Sequence, residues 1–193
     1  PKVAEWGCDF VACSAYKFYG PHLGVLWGRP PLLDRLKPPH LEPAGPSLET
    51  GTLNHEGIAG AAAAIEFLAG GRGRAGLEAT YASLEDHGQG LLERLWEGLS
   101  ELSGVRLFGP GPQARRTPTV AFTVEGLSSR QVAARLAEQA VFVSHGDFYA
   151  TTVARRLGQA DQGLVRAGCA CYTSQDEVDR LIRGVASLRA HFS

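Results

Sequence analysis

The chain has 193 residues, 44% of them hydrophobic, and its 19 lysines and arginines face 20 aspartates and glutamates, for a formal net charge of −1. That supplies a proper core for one large domain or one and a part, while the charge balance, with no basic run longer than Arg115-Arg116 or Arg155-Arg156, argues against a nucleic-acid partner. No stretch approaches the ~20 apolar residues that span a bilayer, and Pro1 to Trp6 lacks a signal-peptide core, so the expected location is the cytoplasm.

Pro1 to Gly7 reads as a short lead-in, the end of a helix that starts earlier. Phe10 to Gly28 follows, an apolar and aromatic run in which Lys17 is the only residue with a permanent formal charge. Val11 to Ser14 predicts a short strand, Gly20-Pro21 breaks it, and Leu23 to Trp27 predicts a second, so Lys17 falls in a turn between two strands expected to be buried. Such an amine is either turned out to solvent on a hairpin loop or held where it is desolvated. Desolvation lowers the pKa of a lysine and frees a neutral amine as nucleophile, which is what Schiff-base chemistry requires. The residues alone leave both readings open.

Pro30 to Leu36 predicts a short helix with Pro31 in its first turn, stopped by Pro38-Pro39. Leu41 to Thr50, carrying Pro43, Gly45 and Pro46, reads as a loop, and a domain boundary is expected there, dividing residues 1–48 from 49–193. Asn54 then caps an alanine-rich helix running to about Leu68. A small-residue helix start preceded by Gly51-Thr52 suits an anion, because free backbone N–H groups, the helix dipole and the threonine hydroxyl all favour one. An ordinary capped helix explains the segment as well.

From Gly76 to Leu102 an amphipathic helix is expected, with Leu77, Tyr81, Leu84, Leu91, Leu95, Leu99 and Leu102 on its core face and His87 turned to solvent. Strands at Val105–Phe108 and Thr119–Val124 flank Gly109-Pro110-Gly111-Pro112, a turn and not a phosphate loop, since proline removes the necessary N–H groups. Ser128 with Gln131, and Ser174 with Glu177, form capping boxes for helices to about Ala140 and about His191. Between them lie a strand at Val141–Val143, a short helix at Thr151–Leu157 and a strand at Leu164–Tyr172. The order describes a small sheet with helices packed on it, an α+β domain.

Arg166 is the one charge in the Leu164–Tyr172 strand. Its guanidinium either clamps a carboxylate bidentately or alternates outward to solvent. His145, Asp147 and Tyr149 are candidate acid–base or hydrogen-bonding groups, in a loop whose polar side chains serve equally well as structural contacts. The four cysteines, Cys8, Cys13, Cys169 and Cys171, match no common zinc spacing, and Cys169 and Cys171 would point the same way from one strand without being bridgeable. Reduced, buried thiols and no metal site are expected.

Ser14-Ala-Tyr16-Lys17-Phe-Tyr-Gly20-Pro21, followed by Gly24-Val-Leu-Trp-Gly28-Arg29, resembles the pyridoxal-phosphate lysine segment of class V aminotransferases, the group that includes cysteine desulfurases and selenocysteine lyases. The family pattern is Ser-x-His-Lys-x-x-Gly-Pro, with Tyr16 here in place of the histidine. The likeness continues in order: Gly51-Thr52-Leu-Asn54 is similar to the family's Gly-Thr-x-Asn segment, and Tyr172-Thr-Ser174-Gln-Asp-Glu177-Val-Asp179 to the segment after its arginine strand.

The resemblance implies an α/β and α+β architecture: the end of a fold-type I large domain in residues 1–48, then a linking helix and a small C-terminal α+β domain in 49–193. It implies pyridoxal 5'-phosphate as cofactor, carried by Lys17, which later moves the α-proton. Ser14, Tyr16, Gly51 and Thr52 would contact the cofactor, Thr52 reaching the phosphate held by the partner in a homodimer. Arg166 would bind the α-carboxylate of a small amino acid, with Asn54, Asp147 and Tyr149 on the substrate side.

Two departures qualify this. Desulfurases carry Arg-x-Gly-x-x-Cys-Ala where this chain has Ser144-His145-Gly146-Asp147-Phe148-Tyr149-Ala150, and tyrosine cannot accept a persulfide. The family's pyridine-nitrogen aspartate, ring-stacking residue and phosphate loop all precede the lysine, so the sequence resembles the C-terminal half of such an enzyme. Transamination, β-elimination from a cysteine-like substrate and racemisation stay open. The rivals are a cysteine or selenocysteine lyase that works without the loop thiol and a catalytically silent fragment serving in dimerisation.

Overall fold

The computed structural model describes residues 3–37, 39, 48 and 51–188. It divides into two compact units, residues 1–81 and 82–193. The loop 41–50, where the sequence places a boundary, lies outside the described residues apart from Leu48, and so does the end of the last helix beyond Leu188.

In the first unit, β1 (Phe10–Ser14) pairs antiparallel with β2 (Gly24–Gly28), from Phe10 opposite Gly28 to Ser14 opposite Gly24. Glycine at both ends of β2 has a packing reason at Gly28, where an added Cβ would lie 2.5 Å from Leu33 Cδ2 and 2.9 Å from Phe10. A single turn, α1 (Pro30–Leu33), follows with proline at its start. Helix α2 (His55–Ala69) opens as expected at Asn54, whose side chain accepts from Gly57 N, and closes at Gly70 in the left-handed conformation. The burial expected for the two strands is not found: Phe10, Val25 and Leu26 are all exposed. Two strands offer too little surface to bury each other's side chains, so apolar composition alone does not make them core.

The second unit is built on a sheet in the order β3-β4-β6-β5, antiparallel throughout. Its strands are β3 (Val105–Phe108), β4 (Thr119–Val124), β5 (Ser144–Gly146) and β6 (Leu164–Gly168). The helices are α3 (Gly73–Ser100), within which the division between the units falls, α4 (Ser129–Ala137), α5 (Thr151–Arg156) and α6 (Gln175–Ser187). Both expected capping boxes form, at Ser128 with Gln131 and at Ser174 with Glu177.

Period-two alternation in β4 sends Val120, Phe122 and Val124 into the core, where they meet Leu91, Leu92, Leu95 and Leu99 of α3, Val132 and Leu136 of α4, and Val178, Leu181 and Val185 of α6. Each such side chain contributes about 1.5–3 kcal/mol through burial, so this face of the sheet holds the unit together. The other face carries Thr119, Ala121, Ser144 and Arg166 toward solvent.

Several boundaries move. The strand expected at Val141–Val143 lies three residues on, because pairing with β6 begins at Ser144 opposite Arg166; Phe142 is 82% exposed instead. Strand β6 ends at Gly168, not Tyr172, since Cys169 N turns to Pro118 O. Cys169 and Cys171 are therefore not strand neighbours. Cys13 and Cys171 are exposed, correcting the expectation of buried thiols, and all four cysteines are free. Of the expected stripe only Leu91, Leu95 and Leu99 are buried; Tyr81 is 47% exposed and Leu102 partly buried, whereas Leu92, off the stripe, is fully buried. His87 is exposed as expected, its Nε2 hydrogen-bonded with Thr173 O at 2.9 Å.

Candidate active site

Lys17 sits in a 3-10 turn, Ala15–Phe18, that joins β1 to β2. The turn is fixed by its backbone: Ala15 N donates to Leu23 O at 2.8 Å, Gly20 N donates to Ala15 O at 2.9 Å, and Tyr19 closes it with φ 67. Ala15 is buried, and Gly20 passes so near it that an added Cβ would lie 3.0 Å from Ala15 O. A larger residue at position 20 would push the turn open. Of the two environments the sequence allows for Lys17, the described residues give the solvent-facing one: the side chain is exposed, with Nζ 5.8 Å from the centroid of the Tyr16 ring. No carboxylate pairs with it among the described residues. Tyr16 stacks on His22 at 5.2 Å, a contact that no periodicity marks.

Helix α2 belongs to the same unit and packs on this turn, Gly60 against Pro21, where a Cβ would stand 3.2 Å from Pro21 Cγ. The small residues of the alanine-rich helix are what permit that approach. Its leading segment, Gly51-Thr52-Leu53-Asn54, leaves Gly51 and Thr52 exposed, while Asn54 Oδ1 accepts from Gly57 N at 2.8 Å. The structure thus brings the Ser14–Lys17 turn and the Gly51–Asn54 segment into one unit. Beside them β2 and α2 line an apolar concavity of about 930 Å³ whose walls include Val25, Leu26, Ile58 and Ile65.

In the second unit Arg166 is exposed on the open face of the sheet, in register with Ala121 on one side and Ser144 on the other. It lines a concavity of about 620 Å³ together with Thr117, Thr119, Phe142, Ser144 and Gly168. No carboxylate partners it among the described residues; the Phe148 ring lies against it, its centroid 4.2 Å from Arg166 Cζ. The guanidinium does alternate outward, and it does so onto a concave surface bearing hydroxyl groups. The register, not the strand period, puts Ser144 and Thr119 on that face, since the strand expected at Val141–Val143 excludes Ser144. Phe148 is the functional candidate that sequence reasoning missed, since an aromatic residue in a loop carries no such signal.

The loop after β5 turns sharply: Phe148 and Tyr149 have φ 56 and 60, consecutive left-handed residues that are not glycine. That conformation costs about 1–2 kcal/mol per residue. Asp147 offsets the cost by accepting from Thr151 Oγ1 at 2.6 Å and from Tyr149 N at 3.2 Å. The threonine hydrogen bond, then the backbone one, holds the Asp147 carboxyl below the usual carboxylate range. Asp147 is thus engaged within its own loop, and Tyr149 is fully exposed.

With this geometry in place, comparison with known proteins identifies the family. The family model described as Aminotransferase class-V matches residues 1–181. The chain belongs to that family. It is 34% identical to a probable cysteine desulfurase 2 of Mycobacterium leprae over 93% of the chain and 44% of that protein. It is 33% identical to an aminotransferase-like protein of Gibberella zeae over 93% of the chain and 46% of that protein. Among solved structures, an apo cysteine desulfurase from Thermococcus onnurineus aligns with a TM-score of 0.84 and 28% identity, covering 98% of this chain and 49% of that one. The Escherichia coli cysteine desulfurase CsdA aligns with a TM-score of 0.79 and 26% identity, over 98% and 48%.

The class V chain therefore spans about half the length of the relatives it matches, and its architecture is that of fold-type I cysteine desulfurases over that half. Among the described residues no group of histidine, cysteine or acidic side chains is arranged to hold a metal ion, and no helix is long and apolar enough to cross a membrane.

Proposed function

We propose that this class V chain carries the lysine, and one carboxylate-binding arginine, of a pyridoxal-phosphate-dependent enzyme acting on a small amino acid by transamination or by β-elimination at a C–S bond. The observation that supports the reading is the class V match over residues 1–181, which takes in Lys17 on its backbone-fixed turn, at the place the resemblance gives the cofactor lysine. Lys17 is exposed, so the desolvation that frees a neutral amine would come from the bound cofactor and the surfaces that close over it. Ser14, Tyr16 and Lys17, with Gly51 and Thr52, would hold the cofactor, Thr52 on the phosphate of a homodimer partner. When bound, pyridoxal phosphate supplies an electron sink for charge that develops at the substrate α-carbon.

The remaining work falls to the chain. Lys17 moves the α-proton at Nζ, and Arg166 orients the substrate through its carboxylate by two parallel N–H donors. The resemblance gives Asn54, Asp147 and Tyr149 roles toward the substrate; Asp147 would serve by shaping its own loop and Tyr149 by presenting its exposed phenol. Persulfide formation in the desulfurase manner is outside this reading, because no cysteine occurs between Cys13 and Cys169 and Tyr149 holds the position the resemblance gives to the nucleophilic thiol.

The test is to mix the protein with pyridoxal phosphate, reduce with borohydride and map the adduct by mass spectrometry. Modification confined to Lys17 is expected. No adduct there would sink the enzymatic reading and leave a fragment serving in assembly. Incubating the competent protein with cysteine, alanine and serine, while assaying sulfide, pyruvate and ammonia, then sorts elimination from transamination.

A further inference from the structure

We propose that Phe148 is a positioning residue that holds the Arg166 guanidinium flat and poised for a carboxylate; this rests on the reading of Arg166 given above. The two groups lie 4.2 Å apart, guanidinium carbon to ring centroid. A guanidinium stacked on an aromatic ring uses its π face, while its five N–H donors point outward in the plane. A salt bridge would fix the side chain by consuming those same donors. Among the described residues Arg166 has no acidic partner, so the ring restrains it and leaves its donors available. Those donors are offered to a concavity that Thr117, Thr119 and Ser144 also line.

The loop supports the same conclusion. Phe148 adopts φ 56 and Tyr149 φ 60, a costly pair of conformations for residues with side chains, and Asp147 ties the turn down through Thr151 Oγ1 and Tyr149 N. Backbone strain of this kind persists only where surrounding contacts impose it. Here they fix the backbone at the residue whose ring meets Arg166. Rigidity in the receiving group raises affinity by reducing the ordering needed on binding.

The experiment uses propionate, a carboxylate without an amine, titrated into the 15N-labelled protein while the backbone amides of Thr119 and Ser144 are followed by NMR, with propionamide as the uncharged control. Wild type, Phe148→Leu, Phe148→Tyr and Arg166→Lys are compared, and the Arg166 Hε resonance reports stacking directly through its upfield ring-current shift. Phe148→Leu is expected to lose that shift and weaken propionate binding by roughly two- to fivefold. Phe148→Tyr keeps both within about twofold by retaining the ring, and Arg166→Lys weakens binding on the order of tenfold or more. Should Phe148→Leu bind as wild type does while Arg166→Lys is impaired, Phe148 has no positioning role and the carboxylate site stands. Should Arg166→Lys bind unchanged, or wild type respond equally to propionamide, the carboxylate reading itself fails and the positioning role goes with it.

Discussion

Arg94 and Asp179 meet through two parallel hydrogen bonds, Nε to Oδ1 at 2.6 Å and Nη2 to Oδ2 at 2.7 Å, which tie α3 to α6 at the edge of the leucine core. The pair holds the Asp179 carboxyl below its ordinary value, first through the hydrogen bond from Arg94, and holds the Arg94 guanidinium above its own. A carboxyl whose pKa is depressed on folding stabilises the fold above its ordinary pKa, near 3.9, and that contribution is lost as pH falls through the depressed value. The Asp147 and Glu177 carboxyls shift in the same direction, so the effects reinforce one another on acidification. The 13C carboxyl resonance of Asp179 should titrate below that of a model aspartate and move back toward it in Arg94→Met. An unshifted midpoint in wild type would remove the basis of the prediction.

Leu92 and Tyr81 make a contrasting pair on one helix. Leu92 is fully buried among the sheet residues, whereas Tyr81 is 47% exposed. Leu92→Ala should cost about 2–5 kcal/mol, the transfer of the lost atoms plus the cavity they leave. Tyr81→Ala, at a position about half open to solvent, gives up less buried surface and should cost less than Leu92→Ala. Urea unfolding of the two variants, compared at constant m-value, decides this, and equal losses would contradict the core described above.

What could be read from the sequence was whatever is written locally. The boxes at Ser128 and Ser174 need only residues three apart, and the alternation of Val120, Phe122 and Val124 needs only one strand. Lys17 and Arg166 stood out as single charges in apolar runs, which marks an unusual position without saying what faces it. Contacts between distant segments stayed hidden. The contact of Arg166 with the Phe148 ring depends on a loop meeting a strand, the packing of Gly60 on Pro21 on a helix meeting a turn, and the burial of Leu92 on how α3 rolls against the sheet. The apolar β1 and β2 misled for a related reason: composition records that a strand can be buried, not which part of the chain covers it.

Asn54 offers a sharper test because its oxygen already has a use. Oδ1 accepts from Gly57 N at 2.8 Å, and Gly57 is packed so closely on the amide that an added Cβ would lie 2.7 Å from Nδ2. Asn54→Ala should therefore cost about 1 kcal/mol of local helix stability, read as faster hydrogen exchange at Gly57 and Ile58, while Asn54→Ser keeps most of it. If Asn54→Ala leaves those amides protected, the cap is not what holds the start of α2.

The thiols should react in an order set by burial and charge. Cys13 and Cys171 are exposed, while Cys169 is partly buried against the hydrophobic core. Burial, and secondarily the negative charge of Glu177, pushes the Cys169 thiol above its ordinary pKa. Because the thiolate is the reacting form, a raised pKa leaves less of it at neutral pH. Iodoacetamide at pH 7 should therefore modify Cys13 and Cys171 well before Cys169, whose rate climbs only as the pH passes above the usual thiol range near 8.5. Glu177→Gln keeps a residue able to complete the capping box with Ser174 but removes the charge, so it should speed Cys169 modestly without unfolding α6. Equal labelling of Cys169 and Cys13 at pH 7 in the wild-type protein, followed residue by residue by mass spectrometry, would show that the half-buried thiol is neither shielded nor electrostatically restrained.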